Sequence, residues 1–596
     1  MFRLDRQGLA LGLTLLVLSP SSAAAQDFRD TVVVTAAATP VTLGSATRTV
    51  TVITRDQIGR LPAHSVADVL RLASSVDVRA RGERGVQTDF AVRGATFGQM
   101  LVLVDGVRLN DAQSAHHNGD IPVPLAAIER IEILHGAGSS LFGADAFGGT
   151  INIITRRDAP AASGTIEAGS FGLVAGQGQV GFSRGTTRQA FAAAVDRSRG
   201  FMVERGFATA TLSSRTSFGE RTGVLASYVW KDFGANGFYG NAPSHEWTNQ
   251  ALVAVDRRFG SAGGWDLAGD VSYRTHGDRF IFRPGLAASV HRTHATRGVI
   301  KASRTIAGTV LTAGAELGAD WIRSNNLGNH DVSRLSGFAE WRRALGDAAQ
   351  VDFSLRADRY AEFGASWSPA AGIGWWPSPR LRLRASAGRA FRVPTFTERY
   401  YTDPNHLARP DLQAETAWSG ETAAELFVGS GWSIGAALFG RHESDVIDWL
   451  RPSTTVRWQT FNIHRVDTLG VELTARRAFA GGAFVQAGYT GLDVDAEAVT
   501  QLSKYVLDYA PHGVTAAASV PLAAGLVVAP RLEVRHRVRS TGTSDYAVLD
   551  LRISRAFGAY ELRADGTNLF DANYQEVLGV AMPGAAFSIS LSATLR

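Results

Sequence analysis

"WDLAGDVSYR", residues 265–274, sets Trp265, Leu267, Val271 and Tyr273 on one side of an extended chain, opposite Asp266, Asp270, Ser272 and Arg274. "VDFSLRAD", residues 351–358, repeats the pattern, with Val351, Phe353, Leu355 and Ala357 against Asp352, Ser354, Arg356 and Asp358. A period of two marks a strand with one apolar and one polar face. "LRLRASAG", "LDLRIS" and "YELRADGT" carry it on, and "FSISLSATLR" at the C-terminus alternates through Phe587, Ile589, Leu591 and Leu595. A soluble sandwich also uses such strands, so alternation alone leaves two folds open.

Three further features separate them. The polar faces mix Asp with Arg, which suits a wet lumen better than a solvent-facing sheet. Aromatic residues gather in "YVWKDF", "GWW" and "RYY", read as strand ends, where the interfacial girdles of a membrane barrel sit. The alternating segments also continue from residue 158 to 596 with no helical pattern, far beyond the roughly 100 residues of a sandwich. In a bilayer every backbone N–H and C=O needs a partner within the protein, so such a sheet must close. At about 20 residues per strand and connection, residues 158–596 predict a transmembrane β-barrel of about 22 antiparallel strands. A barrel that wide stands open unless something fills it.

Residues 50–157 supply the filler. "TVTVITRDQI" reads as a strand, "SVADVLRLA" as a short helix capped by Ser65, and "MLVLVDGVRL" and "TINIITRR" as apolar strands between Gly-rich turns. This is an N-terminal α+β plug domain of ordinary domain size. Ahead of it, Arg3 and Arg6, an apolar run over 9–18 and the small residues Ala23 and Ala25 make residues 1–25 a signal peptide, cleaved to leave Gln26 first. Ten apolar residues are too few to span a bilayer as a helix. The chain is therefore expected to be exported.

Composition excludes other classes. Cysteine is absent, charged residues are only 19%, and the net charge of +5 comes without a basic run, so no nucleic-acid partner is expected. No His-Glu-x-x-His, Gly-x-Ser-x-Gly elbow or nucleotide-binding βαβ turn is present, so the chain is not read as an enzyme.

With these residues in place, the chain resembles the TonB-dependent outer-membrane transporters, and within them the vitamin B12 (cobalamin) transporter branch. The resemblance is carried, in order, by "VRG" (92–94), "VLVDGVRLND" (102–111), "IERIEILHG" (128–136), "SSLFGADAFGGTINIIT" (139–155), "AFRVPTFTERYY" (390–401), "DLQAETAWSGE" (411–421) and "NLFDANY" (568–574) with Pro583-Gly584. It implies active import of a scarce metal-containing nutrient, with cobalamin or another corrinoid first and a ferric siderophore or haem second. A passive porin or a surface adhesin needs neither a plug nor an N-terminal strand. A transducer needs an extra periplasmic domain, and the few residues between Gln26 and Asp30 leave no room for one.

The resemblance also assigns sites. Residues 26–49 become TonB box and linker, with Asp30, Thr31, Val32, Val33, Val34, Thr35 and Ala36 in the TonB-binding strand. "DTVVVTAAATP" (30–40) has no evident partner in its own chain, so it is expected to add itself to the sheet edge of TonB. Arg93, Glu129, Arg130 and Glu132 are charges embedded in apolar sequence, either a latch to barrel glutamates or plain solvated ion pairs. His135 stands where the family commonly has Arg, so one latch charge is missing or pH-dependent. Arg596 replaces the usual terminal aromatic residue.

Ligand contacts are expected from the apex loops, through Thr96, Phe97, Gln99, His116, His117 and Asn118. The loop resemblance of 231–247 adds Phe233, Phe238 and Tyr239. His116 and His117 are adjacent and face opposite ways in an extended chain, so both are not expected on one metal. Acidic residues are scattered, so no calcium site is expected, nor any resident cofactor. The remaining expectations are a monomer in outer-membrane lipid of a Gram-negative bacterium.

Overall fold

The computed structural model describes residues 32–33, 35–429, 431–497 and 501–595. Residues 1–31, with the expected signal peptide, Asp30 and Thr31, lie outside the described residues, as do Val34 and Arg596.

Twenty-two antiparallel strands form the wall, and Ala162–Gly169 closes it by pairing with both Leu173–Arg184 and Ala586–Leu595. The longest, Trp458–Ala478, has 21 residues. The alternation sorts as the sequence predicts, and in the sense opposite to a soluble protein. Val271 is 66% exposed and Phe353 48%, whereas Arg356 is 1% exposed, and Ser272, Arg274, Ser354 and Asp358 are all buried. Apolar side chains on the outside and charged ones inside fit a lipid-facing wall. Among the described residues no helix is long and apolar enough to cross a membrane.

The wall is not free of helix. Phe396–Tyr400 is helical, inside the segment read as "RYY" girdle. Thr395 caps it and Glu398 completes a capping box, so local hydrogen bonding favours a turn of helix over a strand end. Trp375, in "GWW", does sit outward near the end of Gly364–Ser378.

Inside lies the plug. Its five-stranded sheet runs Val50–Thr54, Ile128–His135, Gly149–Thr155, Met100–Val104 and Val107–Arg108 in spatial order. Gly149–Thr155 and Met100–Val104 pair in parallel and the other neighbours antiparallel. Helices Arg55–Arg60 and Val66–Leu70 cover it, each opened by a capping box, from Thr54 and from Ser65. Val69, Leu70, Val102, Val104, Ile131, Ile133, Ile151 and Ile153 make its core. Gly148 marks a close approach: a Cβ there meets Ala95 Cβ at 2.3 Å. Any side chain at 148 pushes the apex loop off the sheet.

Candidate functional site: plug latch, N-terminal clasp and apex

The N-terminal segment has a partner in its own chain. Val32–Val33 pairs antiparallel with Val41–Thr42, which corrects the expectation of an unpaired strand. Val33, Ala36 and Ala37 are buried against Val41, Ala46, Val50, Val52 and Leu134. This apolar packing explains why the β-branched run folds back. Thr35 donates its backbone N–H (2.9 Å) and hydroxyl (2.6 Å) to Glu132 Oε2, and Asn152 Nδ2 donates to Thr35 Oγ1 at 3.1 Å. Wall residues hold the rest: Ala38 N–H donates to Glu340 (3.0 Å), Lys301 donates to Ala38 O (2.9 Å), and Arg342 donates to Thr39 Oγ1 (2.8 Å).

The four expected latch charges separate into different roles. Arg93 crosses to the wall. Its guanidinium binds Glu472 at 2.8 Å, pairs with Glu421 and lies 4.3 Å from the Phe439 ring centre. It is buried and holds a left-handed backbone, φ 51°, next to Gly94. Few side chains adopt that conformation, and here two carboxylates and a ring fix it. Glu132 is fully buried but clasps Thr35, and Arg130 pairs with Glu132 at 2.8 Å within the plug. Glu129 is exposed and lies 3.7 Å from Arg156. The latch assignment is thereby corrected for Glu129, Arg130 and Glu132, which pair with plug residues: Arg130 with Glu132, and Glu129 with Arg156.

His135 sits beside the latch, its Nδ1 3.7 Å from Glu472 and its Nε2 2.9 Å from Thr51 Oγ1. Burial outweighs the glutamate and pushes its pKa down to about 4. At neutral pH the latch therefore has one plug cation, Arg93.

The apex brings some expected ligand residues together and buries others. Phe97 stacks on His116 with ring centres 4.4 Å apart and meets the edge of Tyr505 at 4.9 Å. His116 Nδ1 lies 2.9 Å from Asp89 and its Nε2 3.2 Å from Tyr505 Oη. His117 faces away from His116, Nε2 3.5 Å from Asp278, although the pair lies in a 3-10 turn, Ala115–Gly119, and not in the extended chain expected. Burial opposes its protonation, but Asp278, Asp120 and Glu246 outweigh that and raise His117 to about 10. Thr96 opens a capping box with Gln99, and Asn118 accepts from Asp111 N–H at 3.0 Å. Gln99 is buried and donates to Glu415 (2.9 Å) and Glu443 (3.0 Å), so it ties the plug to the wall. Phe233 and Phe238 are packed among Val86, Phe207, Ala235 and Val580 and are not free for a ligand, which corrects that expectation. Tyr239 as a residue is 39% exposed, while its hydroxyl is held by Gln87 at 2.6 Å.

Two family models match, the TonB-dependent receptor-like β-barrel over residues 170–569 and the TonB-dependent receptor plug domain over 42–150. The chain is a TonB-dependent receptor. The receptor is 27% identical over 521 residues to the vitamin B12 transporter BtuB of Vibrio cholerae, covering 80% of each chain. Among solved structures it resembles the siderophore receptor PirA of Acinetobacter baumannii, with TM-score 0.76, 16% identity, and 93% and 99% of the two chains covered. It also resembles a mutant ferric enterobactin receptor, PfeA, of Pseudomonas aeruginosa, with TM-score 0.74, 15% identity, and 93% and 99% covered. These likenesses fix the receptor's fold, and its family is one of Gram-negative outer-membrane transporters and receptors rather than enzymes.

Most of the receptor's plug–wall contacts escaped sequence reasoning. Arg71 meets Glu533 (3.2 Å) and Glu576 (2.7 Å), Asp111 meets Arg274 (2.6 Å), Asp120 meets Lys231 (2.7 Å), and Asp77 pairs with Arg537. The available signal was a charge of one sign on a plug strand or apex loop and its opposite on the polar face of a barrel strand.

Proposed function

We propose that this receptor imports a corrinoid, cobalamin first, across the outer membrane. TonB pulls on Asp30 to Ala36 once ligand at the apex has shifted the N-terminal segment out of its clasp. The cargo reading rests on one observation: identity to a vitamin B12 transporter spread over 80% of both chains. The likeness to siderophore receptors is one of fold. We further read residues 1–25 as a cleaved signal peptide, and the mature receptor as a lipid-embedded monomer.

The test is affinity of the purified receptor for cyanocobalamin against ferric siderophores and haem. Micromolar or tighter corrinoid binding supports the reading. Binding weaker than millimolar, with tight binding of a siderophore or haem, replaces the cargo and keeps the transporter. Deleting residues 30–36 tests the coupling segment: uptake that continues undiminished at normal receptor levels excludes that segment from energy transfer.

A further inference from the structure

Among the described residues three groups of His and carboxylate side chains place donor atoms within 4.8 Å of one another: the half-buried His64 and Glu167 with Asp565; and the buried sets His117, Asp120 and His276, and His117, Glu246 and Asp278. Charge balance distinguishes them. In the first, Arg84 pairs with Glu167, and Arg552 binds Asp565 at 2.6 Å. In the second, Lys231 binds Asp120 at 2.7 Å and His276 Nε2 takes its other oxygen at 2.9 Å. The third is different. Among the described residues neither Glu246 nor Asp278 has an arginine or lysine within salt-bridge distance, though both are buried. The charge facing them is that of His117, and a divalent ion taking the place of its proton would match both buried carboxylates.

A second observation points the same way. Asp278 Oδ1 is buried and accepts no hydrogen bond among the described residues. Its partner oxygen Oδ2 is already fixed by Gln113 Nε2 at 2.7 Å and faces His117 Nε2 at 3.5 Å. Tyr239 donates to Glu246 Oε2 at 3.1 Å, and Asp120 Oδ2 lies 3.8 Å from His117 Nδ1, so a metal replacing the proton at Nε2 leaves Nδ1–H facing a carboxylate. Donors around a tetrahedral zinc ion lie about 3.4 Å apart, so the cluster needs only a small contraction.

We propose that His117, Glu246 and Asp278 form a site for one divalent transition-metal ion that joins the plug apex to the barrel wall. One imidazole with two carboxylates selects zinc-like ions over calcium, which prefers oxygen alone. No motif announces the site because its ligands come from three distant segments. The proposal stands apart from the cargo reading, since failure to bind a corrinoid leaves it untouched.

The experiment uses the purified, chelator-stripped full-length receptor titrated with Zn2+ by calorimetry, and with Co2+ read by its ligand-field absorption. We expect one zinc per receptor at micromolar affinity or tighter, and a loss of at least tenfold in E246Q and D278N. His64→Ala, in the arginine-matched group, retains binding. Barrel closure is checked by heat-modifiable gel mobility. H117Q changes only the plug loop and gives the same reading should the wall variants not assemble. Zinc binding equal in wild type and H117Q, or absent at millimolar zinc, overturns the proposal.

Discussion

Glu132 Oε2 accepts both the backbone N–H and the hydroxyl of Thr35, at 2.9 and 2.6 Å, in a fully buried pocket of the plug. One carboxylate thus holds the segment next to the strand that the receptor's energy source is expected to grip. The strand has one edge taken by Val41–Thr42 and its Val33 fully buried, so it is not open to a partner as it stands. Release must come first, and its cost sets how much of the receptor is ready to be pulled.

That cost is measurable because the chain has no cysteine. A single Ala37→Cys reporter reads exposure of the segment by its labelling rate. Replacing Thr35 with Val removes the charge-assisted hydrogen bond to Glu132 and the one from Asn152, together worth about 2 kcal/mol, and predicts a rise in labelling of at least about tenfold without ligand. An unchanged rate means that Glu132 does not hold the segment.

Arg93 carries the latch. Arg93→Ala leaves Glu421 and Glu472 buried beside a neutral His135, a loss expected to cost the plug about 3–5 kcal/mol. Urea unfolding followed by a plug fluorophore should move to lower denaturant while barrel gel mobility stays normal. Arg93→Lys keeps the charge but not the two-armed contact and should fall between. A plug that unfolds like wild type in both variants shows the pairs to be no more than solvated contacts.

Much of this was legible in the sequence, and the limit has a physical form. Period-two alternation says which face a side chain takes, so the inward Arg356 and outward Phe353 followed directly. It does not say what lies opposite. Arg93 and Glu472 are 379 residues apart, and only closure of the barrel brings them together. Glu132 could be marked as a buried charge but not assigned to Thr35, since the fold-back of 32–37 depends on apolar packing against Val50 and Leu134. Phe233 and Phe238 were misread for the same reason. An aromatic residue in a loop and one in a core look alike until its neighbours are placed.

His135 gives the plug a pH dependence of fixed sign. Its pKa is about 4 in the folded plug and 6.5 ordinarily, so between those values the unfolded chain binds a proton that the folded one excludes. Its contribution is complete above pH 6.5 and is lost as pH falls towards 4. His135→Gln keeps a polar partner for Thr51 without titrating. The plug's unfolding midpoint should therefore fall less between pH 7 and 5 in this variant than in wild type. Parallel pH profiles assign the dependence to other groups.

Of Phe233, Phe238 and Tyr239, Tyr239 is the one left exposed, with Gln87 anchoring its hydroxyl. Stacking on a flat macrocycle contributes about 1 kcal/mol beyond area burial. With lost contact area added, Tyr239→Ala should weaken cyanocobalamin binding about tenfold in equilibrium titration. Tyr239→Phe keeps the ring and should stay within about threefold of wild type, because the hydroxyl faces Gln87 and Glu246 rather than the opening. Phe238→Ala, by contrast, removes a ring from the packed cluster with Phe233 and Val580 and should lower thermal stability first. If Tyr239→Ala binds corrinoid as wild type does, the ligand is held by other parts of the apex, with the Phe97, His116 and Tyr505 stack next to be tested.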